Sequence, residues 1–185
     1  MKIPKPKPCR ICKEPTTNKY AITYLCSVDC AIAFANRKKD RLERDLRKKE
    51  LKAVRDSKER LKTRQEWIKE AQTAFNAYIR ERDKDEPCIS CGRFHAGKYD
   101  AGHYRSTKAA SHLRYCEDNV WKQCRPCNGP LSGNLLEYRI RLIQKIGFAR
   151  VESLENDNRI YKWTIEELKE IKSIYRQKLR DLKKG

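Results

Sequence analysis

No apolar run in the 185 residues approaches the roughly 18 that a membrane-spanning helix needs, so no membrane partner is expected. The opening MKIPKPKPCR is basic but lacks the apolar segment of a secretory signal, which points to a reducing cytoplasm. Apolar residues are scarce overall, at 38% against 37% charged, too lean for one large core. Small metal-stapled units joined by helices are the expectation. Acidic charge is also short: 25 Asp and Glu face 44 Lys and Arg, a formal net charge of +19. That excess goes beyond what solubility requires and suits a polyanion, nucleic acid ahead of an anionic membrane surface.

Cysteine is plentiful, with nine in the chain. In a reducing compartment closely spaced cysteines are metal ligands rather than disulfides. Eight fall into two sets, Cys9, Cys12, Cys26, Cys30 and Cys88, Cys91, Cys124, Cys127, and each set suits one tetrahedral structural zinc. Cys116 is left over and reads as a half-buried small side chain. The first set, with a hairpin through Tyr20 to Leu25 and a helix capped by Ser27, resembles small treble-clef-like zinc modules over residues 1–36. It serves either as a staple alone or as a DNA contact.

Glycine and proline are absent from Asn36 to about Arg82, and acid-to-base pairs four apart, such as Asp40 with Arg44, support one long basic helix over 37–82. Val54, Leu61, Ile68 and Phe75 recur every seven residues, a stripe for packing against a second subunit, giving a homodimer, or against the chain's own last helix. The next segment, 83–147, begins at the polar break RDKDEP. It contains a knuckle at Cys88, a strand ending in a tight Gly102 turn, a basic loop, a strand VWKQ and the second knuckle. A helix then restarts at Asn134 with Glu137 as a capping box and ends at Gly147. Residues 148–162 read as a hairpin or loop turning at Glu155 to Asn158. The final helix is capped by Thr164 and Glu167, stapled by Trp163 and Leu168, and apolar at Leu168, Ile171, Tyr175, Leu179 and Leu182.

Four thiolates saturate a zinc ion and leave no position for water, so any chemistry at the centre needs a second, harder cation. His103, at the strand end, suits activation of water near neutral pH, and Asn128, directly after the last thiolate, suits an oxygen ligand at the start of a helix. Arg105 and Arg114 are candidate phosphate contacts. His95 and His112 read as structural or DNA-facing.

The order DAGH, then DN, then CRPCN resembles the His-Asn-His, or ββα-metal, nuclease superfamily in the variant whose third position is Asn. The CxxCN arrangement is similar to zinc-containing phage junction-resolving endonucleases. Over essentially its full length the chain resembles the NinG, or Rap, recombination proteins of lambdoid phages. The resemblance implies a mainly helical α+β chain built on a zinc-stapled ββα-metal core, with an N-terminal zinc finger and long helices. It makes His103 the general base, Asn128 a ligand of catalytic Mg2+ or Mn2+, and Asn119 the brace of the loop. Asp100 becomes a candidate second ligand, although Ala101 and Gly102 separate it from the base where the superfamily has an adjacent acid. The implied function is endonuclease cleavage of branched DNA, Holliday junctions and D-loops, alongside other phage recombination proteins in the host cell. A zinc-finger DNA- or RNA-binding accessory protein without catalysis is the alternative.

Overall fold

The computed structural model describes residues 7–16 and 24–184 of a mainly helical α+β chain. It divides into two compact units, one ending at Leu61 and the other beginning at Lys62.

In the first unit a short antiparallel pair, β1 (Lys7–Pro8) and β2 (Pro15–Thr16), flanks the CRIC knuckle, and Cys9 N–H donates to Glu14 O at 2.8 Å. Most of the hairpin expected from Tyr20 lies outside the described residues. Ser27 caps helix α1 (Val28–Leu61) as its composition predicts, its hydroxyl accepting from Cys30 N–H at 3.2 Å. Cys9, Leu25 and Cys30 form a small core with Ile11 and Phe34 alongside. Cys30 is the one buried residue of α1, whose 34 residues otherwise present charge and scattered leucines to solvent.

The expected single helix over 37–82 is broken. Thr63 begins helix α2 (Arg64–Arg82) with a capping box: its backbone N–H donates to Glu66 Oε2 at 2.7 Å and its hydroxyl accepts from Glu66 N–H at 3.3 Å. Thr63 can satisfy the orphan N–H groups of a new helix as well as continue an old one, and here the cap prevails over the unbroken helix-forming composition. The seven-residue stripe is therefore not continuous. Val54 and Leu61 are exposed, while Phe75 is fully buried and Ile68 packs beside it.

The second unit is layered around a two-stranded antiparallel hairpin, β3 (Tyr99–His103) and β4 (Val120–Cys124), in which Asp100 faces Gln123 and His103 faces Val120. Strand alternation gives this hairpin two faces. Ala101 and Val120 join Phe75, Tyr115, Leu168 and Tyr175 in a core closed by α2 and α6 (Ile165–Leu182). Phe75 meets Tyr175 edge-on with ring centroids 4.7 Å apart. On the other face Tyr104 and Trp121 pack against Tyr138, Leu142, Val151 and Leu154 from α4 (Leu135–Ile146) and α5 (Phe148–Asn156). Thus α2 takes the chain's own last helix as its partner. The capping box of α6 forms as expected, with Thr164 N–H donating to Glu167 Oε2 at 2.8 Å, and Trp163 and Leu168 share the first core. Leu182, assigned to the apolar face, remains 41% exposed.

Two further expectations are corrected. Helix α5 occupies the expected loop because Val151 and Leu154, three apart, bury one helical face against α4, while Gly147, at φ 87°, separates the two helices. Asn134 makes no capping box. It adopts a left-handed backbone, φ 45°, that asparagine tolerates, and Glu137 instead pairs with Arg141 at 4.0 Å.

Candidate metal centre and hairpin site

Strand β4 is held at its middle and at its C-terminal end by groups other than the candidate catalytic residues. Asp83, buried at the end of α2, accepts the Lys122 N–H at 2.9 Å and pairs with Arg82 at 2.6 Å, and the Arg82 guanidinium lies 4.2 Å from the Trp121 ring centroid. At the Cys124 end of β4, Cys124 and Cys127 meet Cys88 and Cys91. Cys127 belongs to the single helical turn α3 (Arg125–Asn128).

In both cysteine clusters the four sulfurs lie within 4.8 Å of one another. Zn–S bonds of about 2.3 Å place tetrahedral sulfurs about 3.8 Å apart, so both donor sets fit zinc. In the hairpin cluster Cys88, Cys124 and Cys127 are buried and Cys91 is half-buried. Burial pushes the Cys124 thiol up to about 12. The Cys88 thiol is buried too, but N–H groups of Cys124, Cys91 and Ser90 draw it down. Only a cation makes four adjacent thiolates stable together, and zinc bound here would be coordinatively full and structural.

Glycine at 102 has a different reason from the expected turn. It lies inside β3, and a Cβ there would meet Gln123 Oε1 at 2.0 Å. Gln123 is fully buried, and its amide donates to Ser90 Oγ and Gly133 O, both at 2.6 Å. The Gly102 carbonyl in turn accepts from Tyr138 OH at 3.0 Å.

Asp100 and Asn128 meet: Asn128 Nδ2 donates to Asp100 Oδ2 at 3.1 Å. Asn128 is exposed and Asp100 half-buried, so an amide and a carboxylate stand together beside the zinc cluster, the amide nitrogen facing the carboxylate. Asn128 closes the one-turn helix rather than starting a helix, because the chain turns away at Gly129.

His103 ends β3, and its Nε2 lies 3.0 Å from Arg114 O. A carbonyl accepts only, so the ring donates through Nε2–H and leaves Nδ1 with its lone pair. Burial holds its pKa below the ordinary 6.5. The bond to Arg114 O works against this, and the Arg114 charge reinforces it. The Arg114 guanidinium donates to Gln72 Oε1 at 3.2 Å.

Asn119 is fully buried and bridges the two ends of the loop between the strands. Its Oδ1 accepts from Arg105 N–H at 2.7 Å, and its Nδ2 donates to Arg105 O at 3.0 Å and Leu113 O at 3.1 Å. Arg105 itself spends its guanidinium on Glu155 O and Asn158 Oδ1, so it serves as an internal strut rather than an open phosphate contact. His112 likewise bonds inward, to Arg159 O.

The structure therefore joins Asp100 to Asn128, and His103 to Arg114, as two pairs. No hydrogen bond links the pairs. Asp100 and His103 stand three positions apart on β3, roughly 10 Å along an extended strand, and alternation turns them to opposite faces. Sequence reasoning missed Gln123, Tyr138 and Glu155. Only for Gln123 was there a signal, since pairing VWKQ with YDAGH puts it on the Asp100 face.

Among the described residues no helix is long and apolar enough to cross a membrane. No solved structure matches the chain. It is 55% identical to protein ninG of Salmonella phage P22 and 54% identical to protein ninG of Escherichia phage lambda, each over 123 residues, 66% of this chain. Those stretches cover 61% and 60% of the two relatives, so the match spans about three fifths of their length. Protein ninG of Escherichia phage 933W is 40% identical over 194 aligned positions, covering 99% of this chain and 96% of the relative. The family described as Bacteriophage Lambda NinG protein matches residues 1–185, and the chain belongs to that family.

Proposed function

We propose that the chain is a metal-dependent DNA endonuclease that cuts branched recombination intermediates, with His103 as general base. The observation that carries the reading is the state of His103. Its Nε2–H is committed to Arg114 O, its Nδ1 is left to accept a proton, and burial keeps the ring neutral at pH 7. Strand, loop, strand and helical turn follow one another in the order a ββα-metal core requires. Asn119 braces the loop by three backbone bonds, the kind of contact the resemblance gives that position. The Asp100 carboxylate and the Asn128 amide oxygen are hard donors suited to Mg2+ or Mn2+, which when bound supplies charge stabilisation to a phosphate and its leaving oxygen. In this reading His103 takes the proton of the attacking water, with Arg114 adding positive charge beside the base, and because Asp100 and Asn128 lie on the other face of β3 the scissile phosphate has to span the strand end to engage both. The net charge of +19 supplies the grip on DNA.

A non-catalytic DNA- or RNA-binding role is favoured by one observation, the solvent-facing basic helix α1. Incubating the zinc-loaded protein with branched, duplex and single-stranded DNA and with RNA, each with Mg2+ or Mn2+, separates the two readings. Cleavage of branched DNA that disappears in His103→Ala and in Asn128→Ala is expected. Binding without cutting, or cutting that survives His103→Ala, refutes the catalytic reading.

A further inference from the structure

The hairpin zinc cluster has one weakly protected sulfur. Cys88, Cys124 and Cys127 are 0%, 2% and 3% exposed, while Cys91 is half-buried at the outer edge. A zinc-bound thiolate is lost by protonation or by attack from solvent, so this sulfur decides how firmly the ion is kept.

The chain after Cys91 folds back over it. Gly92, at φ 67°, turns the knuckle, with its N–H donating to Cys88 O at 2.8 Å and Arg93 O accepting from Cys88 N–H at 3.0 Å. Gly97, at φ 109°, makes the second bend that brings the strand back as β3. Between the bends His95 places Nε2 3.1 Å from Cys91 Sγ. Its position is held from the other side as well, because its backbone N–H donates to Tyr99 OH at 2.6 Å and its ring meets the Tyr99 ring edge-on. Tyr99 itself packs against the cysteine cluster. An exposed histidine on a free loop has no reason to be anchored twice and aimed at a sulfur.

We propose that His95 is a zinc-retaining residue: Nε2–H donates to the Cys91 thiolate of the bound ion, capping the sulfur that solvent reaches first. A zinc-bound thiolate has no proton, so it only accepts, and the imidazole supplies the proton of the N–H···S bond. The bond removes part of the charge that four thiolates leave on the site, as outer-shell partners do at other metal centres. It also ties the strap 92–97 to the metal, and that strap leads through Tyr99 to Asp100. The inference rests on zinc filling the cluster and is independent of the nuclease reading.

The test is alkylation of the zinc-loaded full chain by iodoacetamide, mapped residue by residue through peptide masses, with Cys12 and Cys26 of the other cluster as internal references. Losing a hydrogen bond to a charged, partly exposed acceptor predicts Cys91 modification about five- to tenfold faster in His95→Ala. In His95→Gln, whose amide keeps an N–H donor, the rate should return to within about twofold of the wild type. Zinc transfer to a chromogenic chelator should accelerate in parallel. Equal Cys91 rates in all three proteins overturn the proposal. A His95→Ala protein that binds one zinc fewer also overturns it, by making His95 a ligand rather than a cap.

Discussion

Replacing Gly102 by alanine tests whether the DAGH glycine serves a turn or a close approach. The added Cβ would lie 2.0 Å from Gln123 Oε1, 2.8 Å from its Cδ and 2.9 Å from its Cβ. The first contact alone would be relieved by swinging the amide away, but that amide holds Ser90 Oγ and Gly133 O at 2.6 Å in a site without solvent. The third contact is to an atom fixed by the backbone of β4. Overpacking costs about 1–3 kcal/mol, and two lost buried hydrogen bonds add about 1 kcal/mol each. Removing a strand glycine returns about 0.5–1 kcal/mol, leaving a net loss of about 3 kcal/mol. Trp67, Trp121 and Trp163 are the chain's three tryptophans and all belong to the second unit, so their fluorescence in urea reports that unit alone. With m near 2 kcal/mol/M, the midpoint of the zinc-saturated protein should fall by about 1.5 M. In a Gln123→Ala background the same substitution should cost about 2 kcal/mol less, the signature of a direct contact. A midpoint shift under about 0.2 M, or an equal cost in both backgrounds, refutes the close-approach account and restores the turn.

Other measurements probe different parts of the same unit. His103 has a folded-state pKa below its ordinary 6.5, so the unfolded chain takes up a proton that the folded chain refuses. Its contribution to stability is complete above pH 6.5 and is lost as pH falls below it, and urea titrations of His103→Gln should show a flatter pH dependence in that range. The Glu117 carboxylate accepts from Tyr78 OH at 2.9 Å, Tyr175 OH at 3.3 Å and Lys178 Nζ at 2.6 Å. Burial opposes its ionisation, but the Lys178 and Tyr78 bonds hold its pKa below 4.5. Its stabilisation is present above pH 4.5 and fades in more acid solution. Glu117→Ala should cost about 2 kcal/mol at pH 7, and a change below about 0.5 kcal/mol refutes its role as a hub. Elemental analysis should find two zinc ions per chain, and one or none contradicts the reading of the clusters.

The parts legible in the sequence were those written in local chemistry. Cysteine spacing announced both clusters, Thr164 with Glu167 announced α6, and the segments running into DAGH and through VWKQ, each beside a knuckle, announced β3 and β4. Local signals misled where two of them competed. Thr63 and Glu66 carry a capping box inside a run that is helix-forming throughout, and only the packing of Trp67, Phe75 and Ile79 shows that a new helix begins there. Helix α5 was obscured because its nine residues carry no cap and are stabilised by contacts with α4. Gly102 was misread because the residue that requires it, Gln123, lies on another strand. The meeting of Asp100 with Asn128 was hidden for the same reason, since 28 residues and a zinc cluster intervene.

The adjacency of Cys127 and Asn128 also bears on synthesis. A chain leaving the ribosome presents Cys88, Cys91, Asp100 and His103 while the second half of the staple is still being made. Two thiolates hold zinc weakly, so the hairpin stays open until Cys124 and Cys127 emerge, and the next residue delivered is Asn128. Completion of the metal cluster and arrival of the partner of Asp100 are thereby one event in translation. An unfinished chain cannot assemble the pair that, in the proposed function, would hold a cation against DNA.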